Sequence, residues 1–104
     1  MTRPTRLEDG VVAQWLADHN SWRLDDGHLV RDIATMDYPT TAQIVTAQVD
    51  LAERLDHHPD ITVGYRTVNV DLWTHDQGGI TPLDLEYCEA FDVIIHDQFA
   101  KLVD

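Results

Sequence analysis

The sequence predicts an α+β fold, a single domain over residues 1–104 in which an antiparallel four-stranded sheet carries three helices packed on one face. Apolar residues recur at helical spacing in three separate segments. Short segments between them have strand composition, one with clear period-two alternation, and Gly, Pro and Asp mark the turns. The resulting order is helix, hairpin, helix, two strands, helix, an arrangement that buries one sheet face under helices. A chain of 104 residues supports one modest core.

Val12, Trp15, Leu16 and His19 share one helical face, which predicts a first helix over about 7–19. The Asp26-Gly27 pair then lies between two short strand-like segments, a hairpin signal. The second helix follows, with Pro39 near its start, Thr40-x-x-Gln43 available as a capping box, and a stripe of Ile44, Val45, Val49, Leu51, Ala52 and Leu55. Pro59 pushes His58 towards an extended backbone, so this helix is expected to stop at Asp56 or His57.

Residues 61–65 and 67–75 read as two further strands. Val68, Val70 and Leu72 alternate with Asn69, Asp71, Trp73 and His75, so the first set faces the helices. His75 is thereby placed on, or at the rim of, the uncovered face. Gly78-Gly79 makes a turn, Thr81 is the expected N-cap, Pro82 the first residue and Asp84 the N3 residue of the last helix. Tyr87, Phe91, Ile94, Ile95 and Leu102 are expected on its buried side, with Cys88 a small buried hydrophobe among them.

Composition narrows the function classes. Seven Lys and Arg against 19 Asp and Glu give a formal charge of -12, which repels a phosphate backbone, and no local basic cluster offsets it. Direct nucleic-acid binding is therefore not expected. No run approaches the length of a membrane span, and "MTRPTRLEDG" lacks a secretory apolar region. With a single cysteine, the expectation is a cytoplasmic protein.

The chemistry concentrates around "ERLDHHPD". Glu53 and His57 stand four apart on the second helix and can pair, and a carboxylate orients an imidazole. The plain alternative is a solvated Glu and a histidine at a helix C-terminus, where the dipole favours it. Beyond this octapeptide the spacing runs from Glu53 to His57-His58-Pro59, then to Tyr65, His75 and Asp84.

That spacing resembles the signature of the pterin-4a-carbinolamine dehydratases, also called 4a-hydroxytetrahydrobiopterin dehydratases: an acid, three residues, His-His-Pro, five residues, an aromatic, nine residues, His, and an Asp further on. Every position is met, "HHPD" and "THDQGGIT" are the most specific pieces, and the similarity extends from Trp22 and "LVRDI" to the last helix. Ile61, Thr62 and Val63 stand where many relatives carry an aromatic and then an Asn.

The resemblance implies that His57, His58 and His75 surround a reduced pterin, with His57 and His75 transferring protons and His58 binding and orienting. Glu53 would tune His57. Glu53, Pro59, Tyr65, Thr74, Asp76, Gln77 and Asp84 are the implied substrate-binding residues, although helix N3 is a sufficient structural role for Asp84. Trp73 is either a pocket residue or an oligomer contact. The reaction needs an acid to send a hydroxyl out as water and a base for the proton on the neighbouring ring nitrogen. Imidazole supplies either form near neutral pH. The resemblance implies no metal and no cofactor, a homodimer or homotetramer, and a functional link to an aromatic amino acid hydroxylase. The alternatives are a non-catalytic binding or assembly protein on the same fold, such as a dimerisation cofactor, and a metal site of three histidines and an acid. His19, His28 and His96 lie outside the signature and read as ordinary polar residues.

Overall fold

A computed structural model describes residues 5–104. The elements are α1 (Asp9–Asp18), β1 (Arg23–Asp25), β2 (His28–Ala34), α2 (Tyr38–Ala47), α3 (Val49–Leu55), β3 (Asp60–Val63), β4 (Thr67–Leu72), a single 3-10 turn (His75–Gln77) and α4 (Pro82–Phe99). The sheet is antiparallel with strand order β1-β2-β4-β3. Its helix-covered face carries Leu29, Ile33, Val68, Val70 and Leu72, packed into one core with Ile44, Leu51, Tyr87 and Phe91. The α+β architecture expected from the sequence is therefore the observed one. Among the described residues no helix is long and apolar enough to cross a membrane.

The β1-β2 turn is built by Asp26 at φ 51° and Gly27 at φ 79°. Two successive left-handed residues match the twist of the flanking strands, and Asp-Gly tolerates that conformation. This turn sets the register that pairs Asp25 with His28 and Leu24 with Leu29.

The second helix departs from expectation in three ways. Its N-cap is Asp37, whose carboxylate accepts from the Thr40 amide at 2.9 Å and the Thr40 hydroxyl at 2.6 Å, so the Thr40 to Gln43 capping box does not form. It divides at Gln48 into α2 and α3, where the buried Gln48 side chain accepts the Tyr87 hydroxyl at 2.6 Å. The bend turns Gln48 and Leu51 inward and leaves Val49 exposed rather than in the apolar stripe. The strands are also shorter than expected. β4 stops at Leu72 because the chain curls through Thr74, which bridges to Gly79, into the 3-10 turn that contains His75. Leu102 lies beyond the end of α4 and is half-buried, its amide bonded to the Phe99 carbonyl.

The hydrogen bonds from Thr40 hold the Asp37 carboxyl below the usual carboxylate range. A depressed carboxylate stabilises the fold above its unfolded pKa and loses that contribution as pH falls through the folded one. Asp37→Ala is thus expected to lower the melting temperature at pH 7, with the difference from the parent shrinking as the medium is acidified below that range. The buried Cys88 thiol is pushed well up, chiefly by desolvation and further by nearby carboxylates, beginning with Asp92. Since the thiolate is the nucleophile, Cys88 is expected to resist a thiol-specific disulfide reagent at pH 8 until denaturant is added. Rapid stoichiometric labelling of the folded chain would contradict this burial.

Candidate active site

The site forms where the C-terminal end of α3 meets the segment that follows β4. α3 ends because Asp56 adopts a left-handed conformation, φ 48° and ψ 46°, and the His57 amide bonds back to the Ala52 carbonyl at 3.0 Å. This reversal removes His57 from the helix face it would otherwise share with Glu53. His57 turns inward, 5% exposed, and His58 stays outside.

His57 Nε2 lies 2.5 Å from Asp84 Oδ1, with Asp84 fully buried. Asp84 reaches this place because α4 begins beside the 3-10 turn. Thr81 caps the helix as expected, accepting from the Leu83 amide, while the Thr81 amide donates to Oδ2 of Asp84, the expected N3 residue, at 2.8 Å, and the two together form a capping box. The buried Thr74 hydroxyl also donates to Oδ2 at 2.8 Å. Its single proton being used there, the contact between the Thr74 and Thr81 hydroxyls at 2.8 Å has Thr81 as donor. The carboxylate therefore receives a side-chain hydroxyl, a backbone amide and the His57 ring. A carboxylate surrounded by donors is an acceptor only, so His57 Nε2 carries a proton, and in the neutral ring the lone pair is on Nδ1.

The other two histidines are held more lightly. His58 Nε2 pairs with Glu53 Oε2 at 2.6 Å, both side chains largely exposed. His75 is exposed and stacks on Trp73 at 4.0 Å with planes 12° apart. Asp56, His57, His58, Trp73, His75 and Asp76 line one open pocket of about 370 Å³. It is large enough for a small flat heterocycle with part of that ligand left in solvent.

The structure thus brings together His57, His58, His75 and Asp76, with Thr74 and Asp84 beneath them as supports. Glu53 belongs to His58, which corrects the expected Glu53–His57 pair: the i,i+4 relation ends with the helix at Leu55. Pro59 and Gln77 are half-buried beside the pocket segments and do not line it. Tyr65 is not brought to the pocket. It is 74% exposed in the β3-β4 turn, against Tyr38 and at the opposite end of β4 from Trp73. His28, read from the sequence as ordinary, stacks on the other face of Trp73 at 3.6 Å. No local motif marks it, because only the sheet register places it there. Among the described residues no group of three or more His, Cys, Asp or Glu converges as a metal site.

Residues 5–94 match the family described as Pterin 4 alpha carbinolamine dehydratase. A Metallosphaera sedula protein provisionally named pterin-4-alpha-carbinolamine dehydratase is 37% identical, over 84% of this chain and 91% of its own. A Natronomonas pharaonis protein with the same provisional name is 39% identical, over 82% of this chain and 89% of its own. A Brucella melitensis crystal structure, titled transcriptional coactivator/pterin dehydratase, superposes with a TM-score of 0.82 at 28% identity, covering 86% of this chain and 98% of that one.

Proposed function

The chain belongs to the pterin 4 alpha carbinolamine dehydratase family, and from that premise we propose that it dehydrates 4a-hydroxytetrahydropterins by histidine acid-base catalysis. The observation that carries this reading is the buried His57–Asp84 pair under a pocket shared with His58 and His75. A buried carboxylate that fixes the tautomer of a catalytic imidazole is a recurring device of proton-transfer sites.

In this proposal His57 Nδ1 takes the proton from the ring nitrogen next to the carbinol carbon. The electron pair released forms the C=N bond, and the C–O bond breaks. His75, in its protonated form, delivers a proton to the departing hydroxyl, which leaves as water. Asp84 faces the His57 ring while it holds the extra proton. His58, braced by Glu53, orients the heterocycle, and Asp76 supplies a polar contact at the pocket rim. The products are a quinonoid dihydropterin and water. The biological counterpart is recycling of the reduced pterin used by an aromatic amino acid hydroxylase. The edge strands β1 and β3 each pair on one side in the described chain, and we assign them to association with further copies.

Titration with the unreactive analogue 7,8-dihydrobiopterin, followed by NMR of the imidazole protons, tests the placement. The resonances of His57, His58 and His75 are expected to shift together, with those of His19 and His96 unmoved. Shifts confined to His19 or His96, or none at millimolar ligand, would contradict the assignment of this pocket to pterins.

A further inference from the structure

We propose that His28 and Asp71, outside the signature that relates this chain to its family, are positioning residues that set the ring plane of His75 through Trp73. The catalytic consequence rests on the reading above; the positioning itself does not. The antiparallel register that pairs Leu29 with Leu72 places His28 opposite Trp73 on the uncovered sheet face, with Asp71 diagonal to it. Three rings form a continuous stack: His28 on Trp73 at 3.6 Å and 11°, and Trp73 on His75 at 4.0 Å and 12°. His28 Nδ1 lies 2.8 Å from Asp71 Oδ1, which anchors the far end of the stack to β4 itself.

The need for such a device is visible at His75. It stands in a one-turn 3-10 segment, exposed, and among the described residues no hydrogen bond reaches its ring, whereas His57 and His58 each have a carboxylate. Its orientation therefore depends on the Trp73 face. Trp73 is only half-buried, and its opposite face is covered by His28. Both faces of the indole are thus occupied by protein rings, so Trp73 offers the pocket an edge, not a stacking platform. A side chain that must present one nitrogen to a leaving hydroxyl loses rate when its plane wanders, even with substrate still bound.

The expected signature is a split between kcat and KM with a matching spectroscopic change. His28→Ala should lower kcat about tenfold while KM changes by less than about twofold, and His28→Phe, which keeps a ring over Trp73, should recover kcat to within about threefold of the parent. In the folded parent the His75 ring protons should be shifted upfield by the Trp73 ring. His28→Ala should move them towards the random-coil position and His28→Phe should keep them upfield. If His75 resonances and kcat are both unchanged in His28→Ala, the proposal is overturned. Should His28→Ala not fold, Asp71→Asn decides: it keeps all three rings and weakens only the hydrogen bond to His28 Nδ1, so a partial loss of the His75 upfield shift together with kcat supports the proposal, and parental shifts with parental kcat overturn it. If the parent shows no dehydratase activity but the His75 shifts respond as described, the functional reading fails and the positioning stands.

Discussion

His57→Ala is expected to slow dehydration of a 4a-hydroxytetrahydropterin by about 10² to 10⁴, the range in which a single positioned acid or base contributes. The effect should fall on kcat, because His57 is 5% exposed and presents little surface for binding in the ground state. His75→Ala should act in the same direction through the other proton. His58→Ala should differ in kind. Its ring is exposed and paired with an exposed Glu53, so its loss should raise KM with a smaller change in kcat. Because His57 and His75 act in one concerted exchange, the double variant should be little worse than the more damaged single one. Steady-state analysis of the four proteins, with folding checked by circular dichroism, decides. Equal and modest losses at all three histidines would reduce the site to a binding surface.

Asp84 should separate structure from chemistry. Asp84→Ala strips acceptors from the His57 ring, the Thr74 hydroxyl and the Thr81 amide, and opens a void under the pocket. Breaking a buried, fully satisfied pair of this kind costs about 3–5 kcal/mol, enough to unfold much of a marginally stable domain. Asp84→Asn keeps the shape. Its amide oxygen can serve the two donors at Oδ2, which turns the amide NH2 towards His57 Nε2. A donor there compels the other tautomer, with the proton on Nδ1 and no lone pair facing substrate. The expected outcome is a smaller loss of stability than Asp84→Ala, with a fall in kcat approaching that of His57→Ala. An Asp84→Asn protein with parental kcat would show that Asp84 is a helix-capping residue alone.

Much of this arrangement is legible in local sequence, for identifiable reasons. Thr81-Pro82 with Asp84 three positions after the cap specifies a helix start by chemistry confined to four residues, and the observed capping box matches it. Pro59 likewise announces the end of the second helix. The errors arise where a local rule meets a non-local or conformational fact. Glu53 and His57 have helical spacing, but the left-handed Asp56 intervenes and hands His57 to Asp84 across 27 positions of sequence. The Thr40 box loses to Asp37 because Pro39 suits the first turn as well as the first position. Val49 leaves the apolar stripe because Gln48 bends inward to the Tyr87 hydroxyl. His28 carries no motif at all, and only the pairing of β2 with β4 shows which ring it touches. Tyr65 has the right spacing for the signature, yet the β3-β4 hairpin carries it to the far end of the sheet.

The most direct measurement generates the 4a-hydroxytetrahydropterin in a stopped-flow instrument and follows its conversion to the quinonoid dihydropterin by absorbance. The parent protein, at a concentration far below the substrate, should accelerate the decay over the buffer blank with many turnovers, and the His57→Ala, His75→Ala double variant should return it close to the blank. A parent rate equal to the blank, or a double variant as fast as the parent, would contradict the assignment of proton transfer to these histidines.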